Sequence, residues 1–338
     1  MIDIIVGGQG GDEGKGDITR YLAEKGEYSF AAKVGGPNAG HSTYVDGVKL
    51  GLKTIPCAFT NPNIQLYIPA GAYVNPDWLL AEIEKTGCKN RFHIDHYTPL
   101  ITKEHYEEER ADANLMGGIG SVGTGLGKCI RDRIERKKDL KFAKDDERLK
   151  PYLTDVTFII QHCLKNNENG LIEGTQGFKL SLLHSREYPY TTSRDTTAST
   201  FAGEVGVGPK QIRDVWVVYK PYVTRVGPGP LENEIFDPKR LEKYHTIGGE
   251  KGTVSGRLRR AGEFDFYKAD VANKINSATK LAITHLDMLE GFDKDLTKLT
   301  GEAKEFLENF KNLEQMYPFP KLCLIKTGPL FEDIIDLR

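Results

Sequence analysis

The feature that most constrains the fold is a ten-residue run, Gly7–Gly16, reading GGQGGDEGKG. A short apolar stretch, Ile2–Val6, leads into it, and a helix-like stretch, Asp17–Lys25, leads out. Strand, glycine loop, helix is how an α/β domain opens. It is also the setting in which main-chain N–H groups and a helix N-terminus hold phosphate. Glycines alone also fit a plain tight turn, but Lys15 adds a cation able to reach a terminal phosphate. The run is not a Walker A loop. The pattern GxxxxGK[ST] fails at Gln9 and at Gly16, so the hydroxyl that usually holds Mg²⁺ is missing. Asp12 sits in the loop instead, and a carboxylate there repels phosphate unless a cation bridges the two or it acts as a base.

Apolar runs bounded by turn residues predict further strands at Phe30–Val34, Gln65–Ile68, Leu171–Glu173, Val215–Tyr219, Lys280–Thr284 and Leu322–Ile325. Between them, helical patterns run over Pro76–Lys85, Leu153–Lys165, Phe266–Ile275 and Glu302–Met316. This alternation predicts an α/β protein with a mostly parallel central sheet covered by helices. With no repeat or low-complexity linker, residues 1–338 read as one catalytic domain with inserted subdomain elements. The charged stretches Glu107–Asp112 and Lys137–Lys150 read as solvated surface.

Composition excludes several classes. Lys and Arg number 46 against 48 Asp and Glu, which gives no electrostatic case for nucleic acid or an anionic membrane as partner. No apolar run approaches the roughly 18 residues needed to span a bilayer. The opening MIDIIVGG lacks the basic flank of a signal peptide. Five cysteines are scattered without a CxxC pair, so reduced thiols and a cytoplasmic location are expected.

A second loop, Gly35–Thr43, reads GGPNAGHST and follows the predicted strand Phe30–Val34. A lone histidine such as His41 is more often structural, but between small residues after a strand it can also reach a phosphate. Taken together, the two loops resemble those of the adenylosuccinate synthetase family, in its short archaeal-type branch. The resemblance continues in order through GSVGTGLG at 120–127, EGTQGFKLSL at 173–182, YPYTTSRDTTAS at 188–199, TRVGPGP at 224–230, GTVSGRLRR at 252–260, THLD at 284–287 and KTGP at 326–329.

The resemblance implies a P-loop-NTPase-like fold and a GTP-driven, Mg²⁺-dependent ligase. Such an enzyme joins the amino group of L-aspartate to C6 of a 6-oxopurine monophosphate. It implies Asp12 as the base at N1 and as a metal ligand, with Gly40 offering its carbonyl to the metal. His41 is implied to stabilise charge between the β- and γ-phosphates. Gly11, Glu13, Gly14, Lys15, Gly16 and Ser42 are expected around the triphosphate, and Asp287, Lys326, Thr327 and Gly328 around the guanine. The monophosphate falls to Asn38, Ser121, Val122, Gln176, Thr192 and Arg257, with Arg136 reaching the site of a second subunit and so implying a homodimer. Ser255, Arg257 and Arg259 are expected to hold the aspartate carboxylates.

Three positions depart from the family pattern: Gly10 where an aromatic is expected, Val122 for a threonine, and His285 for a lysine. YLAEKGEY at 21–28, PNAGHSTY at 37–44 and EYPYTTSRDTT at 187–197 also resemble the bacteriophage branch that makes 2-aminoadenylosuccinate from dGMP. Loss of a ring at Gly10 is expected to make room beside the base. These segments favour dGMP narrowly over IMP, although typical phage members carry serine where Asp12 stands. A phage-encoded protein of this kind would act in the host cytoplasm. ATP in place of GTP stays open, as does a different class of protein, a GTP-dependent switch needing no aspartate site.

Overall fold

The computed structural model describes residues 1–45, 47–252 and 256–338. In chain order its strands are β1 (Ile2–Gly7), β2 (Phe30–Lys33), β3 (His41–Val45), β4 (Val48–Leu52), β5 (Gln65–Ile68), β6 (Phe92–Asp95) and β7 (Leu153–Thr154). Then follow β8 (Gly170–Glu173), β9 (Ile212–Tyr219), β10 (Tyr222–Arg225), β11 (Arg260–Glu263), β12 (Lys280–Ile283), β13 (Lys321–Lys326) and β14 (Ile334–Asp336). Ten of them form one sheet, ordered β14-β13-β12-β9-β1-β8-β2-β5-β6-β7. Every pairing in it is parallel except β13 with β14.

Helices cover both faces, as the buried apolar strands require. Along β1, Ile4 and Val6 enter one core, with Phe201, Ala269 and Phe310 from helices. Ile5 points to the opposite core, with Ile18 and Leu22 of helix Lys15–Lys25 and Leu79 of helix Pro76–Thr86. Among the described residues no helix is long and apolar enough to cross a membrane.

Among the described residues, two antiparallel strand pairs stand outside the sheet. One pairs β3 with β4, and the other pairs β10 with β11. The first corrects the expectation that Gly35–Thr43 is all loop: His41 begins a strand, opposite Leu52. Two helix expectations shift as well. Leu153–Thr154 is the edge strand β7, and the helix begins at Val156, where the Asp155 side chain accepts the Phe158 N–H at 2.8 Å. The last long helix stops at Lys311, and a 3₁₀ turn covers Asn312–Gln315.

Parallel strands deliver their following loops to one edge of the sheet. The segments after β1, β2, β8, β9, β12 and β13 therefore gather at the carboxyl edge, where ligands bind in open α/β sheets.

Candidate active site

A cleft of about 570 Å³ opens at that carboxyl edge. Its wall includes Gly10–Asp12 and Gly14–Asp17 from the first loop, Asn38–Ser42 from the second, and Ser121, Val122, Gln176 and Thr192. Arg259, His285, Asp287, Lys326 and Gly328 close the other side. Most of the residues singled out in the sequence thus meet in one place.

The first loop is held from within by Glu13. This carboxylate is fully buried; one oxygen accepts the N–H of Gln9 at 3.0 Å and of Gly11 at 2.8 Å, and the other meets Lys15 Nζ at 2.7 Å. Three donors around one buried carboxylate fix the loop's shape. This corrects two expectations. The Glu13 side chain does not face the cleft, and the Gly11 N–H is already bonded. Gly11 has φ 91° and Gly14 φ 83°, conformations that favour glycine. Gly16 explains the failed Walker pattern: a Cβ there would stand 2.8 Å from Cys57 Sγ and 2.9 Å from the Ser42 carbonyl oxygen. A serine or threonine at this position would push the β3–β4 hairpin off the helix.

Asp12, next in sequence to Glu13, is in a different position. Its φ is 67°, its side chain is 26% exposed, and its carboxylate meets Arg259 at 2.7 Å. Burial raises its pKa, against the pull of the Arg259 and Lys220 cations. Arg259 in turn bonds Glu250 at 2.6 Å, and Glu250 also accepts from Lys220 at 2.6 Å and the Tyr222 hydroxyl at 2.8 Å. Arg259, expected at the substrate carboxylates, is thus engaged with protein carboxylates in this structure.

His41 lies across from Asp12 in the cleft wall. Its Nδ1 contacts Glu173 Oε1, and its buried Nε2 has no partner among the described residues. Burial and the Lys33 ammonium pull its pKa down to about 4, against Glu173. Glu173 itself is depressed to about 2, because Lys33 and His41 outweigh its burial.

Asn38, Gln176 and Thr192 converge as expected. Gln176 Nε2 donates to Thr192 Oγ1 at 2.7 Å, and Asn38 Nδ2 lies 3.4 Å from the same oxygen. The amide oxygens of Asn38 and Gln176 are buried without partners among the described residues. Ser121 donates to Glu109, and Val122 adds only apolar wall.

At the far end, Asp287 Oδ1 is buried and has no partner among the described residues, and burial raises the carboxyl pKa. Such a group is completed by an N–H donor from a ligand. Lys326 lies 3.1 Å from Asp17, and Gly328 approaches Asp333 so closely that a Cβ would stand 2.4 Å from its Oδ2. Thr327 is turned inward, its N–H and hydroxyl both bonded to the Asp333 carbonyl at 2.8 and 3.1 Å; it is not in the cleft wall.

Four other expectations fare differently. Arg136 is exposed, with φ 55°, two residues beyond helix Leu126–Ile134 and outside the cleft wall. Arg257 is exposed and not part of that wall. Ser255 lies outside the described residues. Gly10 lines the cleft, but a Cβ there would stand 2.8 Å from the Thr224 carbonyl oxygen. Its glycine therefore answers to the close approach of β10, which corrects the idea that it simply vacates space beside a base. Glu173, Glu250 and Glu109 were missed as site-building residues. Glu173 opens the quoted EGTQGF motif and ends a buried strand, and a charge in that position was the available signal.

The donor set fits a hard divalent cation such as Mg²⁺: the Asp12 carboxylate and the Gly40 segment share the cleft wall, and both supply oxygen. His41, Cys57 and Glu173 also cluster, but Lys33 Nζ lies 3.4 Å from Glu173 and already supplies the positive charge.

A parallel sheet with a glycine loop, a buried lysine and convergent polar groups at its carboxyl edge defines a nucleotide-dependent α/β enzyme. The adenylosuccinate synthetase family model matches residues 4–144 and 139–300. The adenylosuccinate synthetase of Methanococcus aeolicus is 43% identical over 339 residues, covering 99% of both chains. That of Pyrococcus horikoshii is 43% identical over 346 residues, covering 99% of this chain and 98% of its own. The fully ligated Plasmodium falciparum adenylosuccinate synthetase superposes with a TM-score of 0.86 at 22% identity, over 99% of each chain. The cyanophage S-2L succinoaminodeoxyadenylate synthetase, bound to dGMP and to dATP as energy donor, gives 0.83 at 23% identity, over 99% of this chain and 95% of its own. The chain belongs to the adenylosuccinate synthetase family. It is a ligase that forms a C–N bond with aspartate.

Proposed function

We propose that this ligase joins L-aspartate to C6 of a 6-oxopurine nucleoside monophosphate through a 6-phosphoryl intermediate driven by GTP, and that it takes dGMP ahead of IMP. The observation that carries the reaction is the convergence of Asp12, His41 and Asp287 on one cleft, with His41 Nε2 and Asp287 Oδ1 lacking partners among the described residues. Asp12 removes the N1 proton, so O6 becomes nucleophilic and attacks the γ-phosphorus while GDP leaves. The aspartate amine then adds at C6, and the O6–phosphate departs as inorganic phosphate. His41 offers Nε2 to the triphosphate, and Lys15 carries positive charge beside it. Asp12 and the Gly40 carbonyl would hold Mg²⁺, which would supply positive charge beside the phosphate oxygens. Asp287 accepts from guanine N1–H and N2–H, which adenine cannot offer as a pair, so GTP is preferred to ATP.

Asn38, Gln176, Thr192, Ser121 and Val122 form the monophosphate wall, and Arg259 exchanges Asp12 for a substrate carboxylate, with Ser255 and Arg257 on the same segment. The exposed Arg136 suits a role in the site of a second subunit of a homodimer. Action in the cytoplasm fits the charge balance of the chain and its scattered cysteines.

The preference for dGMP rests on the three phage-like segments. The cyanophage neighbour demonstrates that this fold can house dGMP; at 23% identity it carries no more. IMP is the second reading, favoured by the retained Asp12 and by the name of the 43% identical relatives. The test is phosphate release from GTP with single omissions. Release should need both monophosphate and aspartate; release from GTP alone would mark a switch instead.

A further inference from the structure

We infer that Glu173 is a positioning residue for His41: it holds the imidazole through Nδ1 so that Nε2 faces the reacting phosphates. The inference rests on the reading of His41 as the group that acts on the triphosphate, and goes beyond it by naming what orients the ring.

His41 does not belong to the central sheet. It starts β3, in a hairpin that packs over the helix after the glycine loop, against the space left by Gly16. Glu173 ends β8, which lies between β1 and β2 in the sheet. The contact between Glu173 Oε1 and His41 Nδ1 therefore ties a peripheral hairpin to a central strand of the sheet. The other oxygen accepts the Cys57 N–H at 2.6 Å, so the carboxylate cannot swing away without losing a second bond.

A wholly buried carboxylate needs compensation. Lys33 Nζ, 3.4 Å from Oε1, supplies charge. If charge balance with Lys33 were its whole purpose, the ring contact would be superfluous. The groups facing His41 are Lys33 from β2, Glu173 from β8, Lys15 from the helix after the loop, and the Cys57 thiol from the turn after β4. Among these only Glu173 is an anion. An ionised carboxylate can only accept, so the neutral ring in this contact carries its proton on Nδ1, and Nε2 is the nitrogen left for a ligand. Nε2 is indeed buried without a partner among the described residues. With Nδ1 engaged by Glu173, Nε2 is the ring nitrogen left to take up a proton and donate it to a phosphate oxygen, oriented as an acidic residue orients a catalytic histidine elsewhere.

Two measurements test the assignment. Nitrogen-15 spectra of the ligand-free wild-type protein at alkaline pH report the His41 tautomer. We expect the proton on Nδ1, and a proton on Nε2 would overturn the inference without any variant. Kinetics of H41N, E173Q and the double variant then separate positioning from mere structure. E173Q should lower kcat about 10–100-fold, with each KM within about threefold of wild type. In the H41N background the same change should cost less than about threefold, because the ring it orients is gone. Independent losses that multiply would assign Glu173 a structural role and overturn the inference. If H41N itself turns over normally, the catalytic reading of His41 fails; if H41N is inactive and E173Q is normal, only the present inference fails.

Discussion

The two segments that bound the cleft are built on opposite plans. In the loop after β1, the carboxylate of Glu13 is sealed inside and satisfied by three donors of its own loop. In the segment around 250–259, Arg259 reaches out of its segment, to Asp12 at 2.7 Å, while Glu250, itself bonded by Lys220, holds it from behind. One wall is finished before any ligand arrives. The other carries an ion pair that a substrate carboxylate can replace. Adjacent acids show the same contrast: Glu13 shapes the loop, and Asp12 faces the chemistry.

The largest effect should come from removing the reactive acid. Asp12→Asn should lower kcat by roughly two orders of magnitude or more while nucleotide binding changes modestly. Near-normal turnover would erase the distinction between the two acids. Glu13→Gln should instead act on stability. It leaves Lys15 buried without its anion, and breaking a buried pair costs about 3–5 kcal/mol, read as a lowered midpoint in urea unfolding. If Glu13→Gln keeps its midpoint, the loop is not clamped from within.

On the other wall, Arg259→Leu should raise KM for aspartate by about 10–150-fold, the value of roughly 1.5–3 kcal/mol for hydrogen bonds to a charged group. Unfolding should move little, since Glu250 keeps Lys220 and Tyr222. An unchanged aspartate KM would mean that Arg259 serves only Asp12. The smallest effect is expected at the nucleobase end. Asp287→Asn should narrow the GTP-to-ATP ratio of kcat/KM by about 5–150-fold, for one lost or mismatched pairing worth roughly 1–3 kcal/mol; a ratio equal to wild type would take Asp287 out of base reading.

The sheet was legible because its central strands are apolar runs closed by glycine or threonine, and parallel strands put all their loops at one edge. The strand pairs outside it were not. β4 is exposed or half-buried at every position but Leu52, so it carries no hydrophobic pattern, and β10–β11 pairs segments more than thirty residues apart. The first loop could be read as a phosphate site, but the direction of each side chain could not. Glu13 and Asp12 differ by one position, and only the folded φ values and the proximity of Arg259 separate them. Glu173 escaped notice because its partner, His41, lies 132 residues away. Gly10 was misjudged for the same reason, since the Thr224 carbonyl that crowds it comes from β10.

The central claim is a ligation of aspartate to a 6-oxopurine monophosphate with dGMP ahead of IMP. The most direct measurement is a competition: purified protein, aspartate, GTP, Mg²⁺ and equal concentrations of dGMP and IMP, with the succinylated products separated and weighed by mass spectrometry. The account predicts that the 2-amino deoxynucleotide product forms at least as fast as adenylosuccinate. Adenylosuccinate alone would contradict the dGMP assignment and leave an IMP enzyme; neither product, with GTP hydrolysed all the same, would contradict the ligase itself.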